Sequence, residues 1–187
     1  MDISLEETAV DGVVLVHTPT HEDQRGHLQE IHATDGFAGG GIDIAFERTL
    51  YSRSDSGVLR GLHVQTPPYR EAKLVSCLHG EIFDVALDLR PESDTCGEAV
   101  TARLSGTGTA SLLIPRGFAH GFVALADDSV VHYMSDNDYA PDHQSGVHWA
   151  DDAVGIDWPV SDPVVSEKDE QLGSLAAVTD QMRRTEN

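Results

Sequence analysis

The chain has 187 residues, and its 12 lysines and arginines stand against 32 aspartates and glutamates, for a formal charge of −20. That length suits one domain, since domains run roughly 100–200 residues. The 40% of apolar residues can build a core, which excludes a disordered acidic tail. A body this acidic repels phosphate backbones and anionic lipid, so neither nucleic acid nor a membrane is expected as a partner.

Only two of the cations are lysines, Lys73 and Lys168. Cys77 and Cys96 are too few for a disulfide framework and read as free thiols. The N-terminal stretch is acidic, without the apolar centre of a signal peptide. No apolar run approaches the roughly 20 residues of a membrane helix. The expectation is a soluble, cytoplasmic protein.

Along the chain, short apolar runs broken by Gly, Pro, Asp and Ser predict strands at 12–18, 58–65, 73–78, 81–89, 110–114, 121–126 and 129–134. In the fourth run Phe83, Val85, Leu87 and Leu89 alternate with Asp84, Ala86 and Asp88, the pattern of a half-buried strand, and Asp84, opposite Phe83 and Val85, suits either a barrel interior or a structural role. Many short strands separated by turn signals predict an antiparallel sandwich or barrel. Leu172, Leu175, Ala176 and Val178 lie at loosely helical spacing and predict a C-terminal helix over 169–184. Residues 183–187 are expected to fray. No repeat or linker divides the chain, so residues 1–187 read as a single domain with its core at about 11–172.

Two segments carry candidate chemistry. In Arg60-Gly61-Leu62-His63-Val64-Gln65, Arg60 and His63 would face opposite sides of a regular strand, unless a bulge at Gly61 intervenes. In Pro115-Arg116-Gly117-Phe118-Ala119-His120, a turn feeds a strand that presents His120. Together the segments resemble the two halves of the cupin signature. Metal-binding cupins use His-x-His and a Glu in the first half; here Gln65 stands at the second His, and Glu71 follows.

A longer series is more specific. Gly57-Val58-Leu59-Arg60-Gly61-Leu62-His63, Lys73-Leu74-Val75, Gly80-Glu81-Ile82-Phe83-Asp84-Val85, the 114–122 segment, Gly155-Ile156-Asp157-Trp158-Pro159 and Ser166-Glu167-Lys168-Asp169 occur in this order. This series resembles the dTDP-4-dehydrorhamnose 3,5-epimerase family over roughly residues 11–172. The resemblance implies a mainly β, double-stranded β-helix (jelly roll), a homodimer, no metal and no cofactor. It also implies inversion at C3 and/or C5 of a nucleotide-linked 4-keto-6-deoxy sugar, in deoxysugar or rhamnose biosynthesis. Such chemistry needs a base near neutral pKa, donors or cations at the ketone oxygen, and an acid on the opposite face of the ring.

By the resemblance, His63 is the base, Asp169 the carboxylate that orients it and stabilises its imidazolium, and Tyr133 the acid. Lys73 lies beside the developing enolate, with Arg60 and His120 as further polar contacts. Arg25 and Glu30, in Asp23-Gln24-Arg25-Gly26-His27-Leu28-Gln29-Glu30, are expected to touch substrate. Three positions depart from the family pattern. Leu28 replaces an aromatic, Arg48-Thr49-Leu50 stands where members carry Gln-x-Asn, and Asp138-Tyr139 replaces Tyr-Tyr. Arg48, a forked cation, suits a diphosphate, and Tyr139 can stack on a base. Two alternatives stay open: a metal-dependent cupin using His63, Glu71 and His120, and a non-catalytic nucleotide-sugar-binding jelly roll.

Overall fold

A computed structural model describes residues 2–184. The strands are β1 (Ser4–Glu7), β2 (Val14–His17), β3 (Thr20–Asp23), β4 (Gly26–Gln29), β5 (Arg48–Ser54), β6 (Leu59–Gln65), β7 (Lys73–His79), β8 (Glu81–Asp88), β9 (Ala99–Ser105), β10 (Ala110–Ile114), β11 (Phe118–Ala124), β12 (Ser129–Ser135) and β13 (Gln144–Gly146). Two helices accompany them, α1 (Thr34–Gly39) and α2 (Leu175–Arg184).

The strands form two antiparallel sheets, ordered β1-β2-β10-β7-β12-β5 and β13-β6-β11-β8-β9. A separate hairpin pairs β3 with β4. The two large sheets face each other across Val75, Leu112, Ile114 and Val131 on one side and Ile82, Ala86, Leu104 and Phe122 on the other. The result is the expected mainly β jelly roll.

The seven predicted runs all coincide with strands, but one expectation about burial is corrected. β8 is buried on both faces. Val85, Leu87 and Leu89 pack outward beneath Val178 and Met182 of α2. Ile82 and Ala86 face the sandwich interior, which leaves Asp84 fully buried between them. The strand is therefore buried rather than half-buried, and Asp84 faces the barrel interior that its position opposite Phe83 and Val85 suits.

The C-terminal helix is also corrected. Asp169–Gln171 is a single 3-10 turn, and α2 begins only at Leu175. Between them Gly173 pairs with Gly146, and the Ser174 hydroxyl accepts the Ala177 N–H at 3.3 Å, a side-chain cap that starts a new helix. The break matters because it frees Asp169 to sit against β6. The frayed end expected at 183–187 falls, from residue 185 on, outside the described residues. Both cysteines are free, Cys77 buried and Cys96 partly so. Among the described residues no helix is long and apolar enough to cross a membrane.

Candidate active site

The site begins with an irregularity in β6. Opposite β11, His63 pairs with His120 and Arg60 with Phe122. Three steps on β6 therefore match two on β11, so β6 carries one extra residue. This is the bulge that the spacing of Arg60 and His63 requires, and it turns both side chains into one cavity. Gly61 permits it. Its φ is +119°, and a Cβ there would meet the Gly121 Cα at 2.5 Å and the His120 carbonyl oxygen at 2.7 Å.

The cavity lies between the sheets. Its walls include His63, Arg60 and His120 from one sheet and Arg48, Leu50, Ser52, Lys73 and Tyr133 from the other, with Tyr139 and Gln144 at the side. Of the ten side chains expected in the site, seven line this cavity and Asp169 stands directly behind His63.

The His63 Nε2 lies 2.7 Å from Asp169 Oδ1, and the Gly61 N–H donates to Asp169 Oδ2 at 3.2 Å. Asp169 is 4% exposed. Burial raises its carboxyl pKa, but the bond to His63, that ring's charge, the Gly61 N–H and nearby Lys168 outweigh it and hold the group below its ordinary range. An ionised Asp169 keeps the proton on Nε2 and leaves Nδ1 as the free acceptor of the ring.

Tyr133 comes from β12, on the opposite sheet. Its hydroxyl is 3.0 Å from the Ser52 hydroxyl. Burial drives the phenol pKa well above its ordinary value, against the opposing bond to Ser52, so Tyr133 is a protonated donor at neutral pH. Its ring meets His120 edge-on, with centroids 6.0 Å apart. His120 is itself held by Asp84, Nε2 to Oδ1 at 2.7 Å, and both are buried.

The cations are distributed around the cavity. Lys73 Nζ is 3.2 Å from Glu71 Oε1. Arg48 Nη1 is 3.9 Å from Glu71 Oε2, and its guanidinium lies 5.5 Å from the Tyr139 ring centroid. Arg60 donates to the Ser54 hydroxyl at 3.0 Å. Three cations and one carboxylate thus line the cavity inside a chain of charge −20.

Arg25 and Glu30 are not brought to this cavity. Arg25 occupies the tip of the β3–β4 hairpin, its side chain 85% exposed and paired with Asp23. Glu30 follows β4 and is exposed. The hairpin projects from the body, and Leu28 on it is 71% exposed.

The metal alternative fits the structure poorly. The Nε2 atoms of His63 and His120 are each bonded to an aspartate. Glu71 is engaged by Lys73 and by the Ser135 hydroxyl at 2.6 Å. Among the described residues no three His, Cys, Asp or Glu side chains group as metal ligands. Gln65, at the second His of the cupin signature, instead ties loops together. Its amide donates to the Tyr69 and Asp138 carbonyls and accepts the Ala140 N–H.

Ser52, Gln144 and the Asp84 partner of His120 were not expected in these roles. A period of two from Leu50 on β5 points to Ser52 once that strand is known. Nothing in the local sequence marks Gln144.

The model for the family dTDP-4-dehydrorhamnose 3,5-epimerase matches residues 7–177. The enzyme of that name from Methanothermobacter thermautotrophicus is 43% identical over 166 residues, which cover 87% of this chain and 89% of that protein. The Legionella pneumophila dTDP-6-deoxy-D-glucose-3,5-epimerase, solved with dTDP-4-keto-L-rhamnose, superposes with a TM-score of 0.91 at 34% identity, covering 96% of each chain. A 3'-monoepimerase from Streptomyces bikiniensis, solved with dTDP-quinovose, has a TM-score of 0.86 at 27% identity, covering 95% of this chain and 90% of that one. The chain belongs to the dTDP-4-dehydrorhamnose 3,5-epimerase family.

Proposed function

We propose that the protein is an isomerase that inverts C3 and C5 of dTDP-4-dehydro-6-deoxyglucose in deoxysugar biosynthesis in the cytoplasm. One observation carries this reading: a carboxylate-oriented His63 and a protonated Tyr133 occupy opposite walls of one cavity. His63 Nδ1 takes the proton from the carbon beside the C4 ketone. The electron pair moves onto the ketone oxygen, where Lys73, with Arg60 and His120, offsets the enolate charge. Tyr133 returns a proton from the other face, and the carbon is inverted. Each residue then regains its starting state by proton exchange with water. Only protons move, so no electron carrier takes part.

Arg48 and Tyr139 suit the diphosphate and base. We further propose a homodimer in which the projecting hairpin carries Arg25 and Glu30 to the partner's cavity. Their exposure in a single chain and the uncovered Leu28 support this. Single inversion is the second reading, favoured by the likeness to the 3'-monoepimerase; the same residues would serve it.

The test is incubation with dTDP-4-keto-6-deoxyglucose followed by NMR of the product ring. Inversion at both carbons supports the first reading and inversion at one carbon the second. An unchanged sugar refutes both. The dimer is tested by mixing Arg25→Ala with His63→Ala, each inactive alone. Recovered activity supports exchange of the hairpin, and its absence opposes it.

A further inference from the structure

Glu71 is out of place by charge. It is a carboxylate in the wall of a cavity whose other charged wall residues are cations. An anionic ligand seated there would be repelled by it. Yet its side chain is only 10% exposed and is held from two directions. Oε1 takes Lys73 at 3.2 Å. Oε2 accepts the Ser135 hydroxyl at 2.6 Å, and that hydroxyl is also 3.0 Å from the Asn137 carbonyl. A carboxylate so fixed is a firm anchor for the ammonium of Lys73, whose flexible four-carbon stem otherwise samples many positions.

Arg48 is treated differently. Its approach to Glu71 is 3.9 Å, beyond hydrogen-bond reach. Its face lies towards Tyr139, whose hydroxyl donates to Gln144 at 2.6 Å. Glu71 therefore holds one cation closely and the other loosely. The close one, on β7, pairs with Ser135 and Ile114 across the sheet. The loose one keeps its donor fork open.

We propose that Glu71 is a positioning residue that fixes Lys73 for the enolate while leaving Arg48 open to the diphosphate, and that its hold on Lys73 raises turnover while its own negative charge lowers ligand affinity. This rests on the epimerase reading above. It predicts a split that a merely structural residue would not produce. Loss of a structural residue weakens binding and turnover together. Loss of Glu71 should remove a repulsion, so binding tightens, and release Lys73, so turnover falls.

The test compares wild type with Glu71→Gln, which keeps the shape and an oxygen for Ser135. Affinity for dTDP is measured by titration calorimetry and turnover with dTDP-4-keto-6-deoxyglucose. The expected result is about 3–10-fold tighter dTDP binding, as suits removal of a partly screened charge, with turnover lower by about 10–100-fold, the scale of a displaced catalytic group. The gain in affinity should shrink as salt is added. Weaker or unchanged dTDP binding, or undiminished turnover, overturns the proposal. Should the Gln variant not fold, Glu71→Ala carries the same test with the same signs. Wild type separates the two levels of the argument. If it neither binds dTDP nor converts the sugar, the epimerase reading falls and this inference with it. If wild type does both and the split is absent, only the inference falls.

Discussion

Asp169→Asn is the substitution whose consequence the geometry defines most closely. The carboxylate accepts from two donors, His63 Nε2 through Oδ1 and the Gly61 N–H through Oδ2. Asparagine keeps the shape and one acceptor oxygen. If that oxygen stays with Gly61, the amide NH2 faces Nε2. Nε2 must then accept, and the ring proton moves to Nδ1, the atom that should take the substrate proton. If the oxygen turns to His63, the buried Gly61 N–H loses its partner, at a cost of about 1–3 kcal/mol. Either way the imidazolium formed on proton abstraction lacks its counter-charge. In a serine-protease triad the analogous change lowers turnover by about 10⁴. A loss of about 10³–10⁴ in kcat is expected here, ~4–5.5 kcal/mol of barrier. Affinity for dTDP should change by less than about threefold, because Asp169 stands behind the cavity wall and does not line it. Turnover by product NMR and dTDP titration measure the two effects. A variant within tenfold of wild-type kcat would refute the argument that Asp169 sets the state of His63.

Tyr133→Phe should slow inversion by about 10²–10⁴, while proton exchange at C3 persists because His63 still removes the proton; wild-type inversion would mean that the acid lies elsewhere. Gly61→Ala places a Cβ into the β11 backbone at positive φ, which should cost roughly 3–5 kcal/mol from overpacking and backbone strain together; a denaturant midpoint close to that of wild type would show that the bulge relaxes easily. Acid should weaken the fold in two stages. Burial lowers the His132 pKa, and also that of His32 despite Glu30 nearby, so the unfolded chain binds protons first as pH falls through about 6.5. Stability is therefore full above that pH and declines below it, and His132→Gln should flatten this first stage in pH-dependent melting. A second loss should follow below about pH 4. There Asp88, whose burial is outweighed by Arg90, Ser93 and Thr95, and Asp169 gain protons in the unfolded chain before the folded one.

The strands that the residues announced are those that bury apolar side chains on at least one face. β5, a sheet edge with polar Arg48 and Ser52, gave no periodic signal, whereas β9 lies outside the predicted runs although Val100, Ala102 and Leu104 alternate with Thr101 and Arg103 and face the core. The alternation in β8 suggested a half-buried strand, although it also suited Asp84 to a barrel interior. Asp84 and Asp88 are both dry, Asp84 held by His120 and Asp88 by Arg90, Ser93 and Thr95. Asp88 is satisfied by residues a few positions ahead of it, whereas the partner of Asp84 lies 36 positions away and is brought to it only by the fold. The His63, Tyr133 and Asp169 constellation was legible through ordered motifs, since spacing alone cannot join residues 106 positions apart. Arg25 and Glu30 belong to the same motif series, yet they lie outside the cavity of their own chain. Under the proposed dimer, such a motif marks a contact whose pocket the partner copy would supply.

The central role proposed for His63 is to exchange ring protons of a nucleotide-linked keto sugar with solvent. Incubation with dTDP-4-keto-6-deoxyglucose in deuterated water, read by mass spectrometry and NMR, measures this directly. Deuterium is expected at C3 and C5 with wild type and at neither carbon with His63→Ala. Wild type that incorporates no deuterium, or a His63→Ala variant that incorporates it at the wild-type rate, would contradict that role.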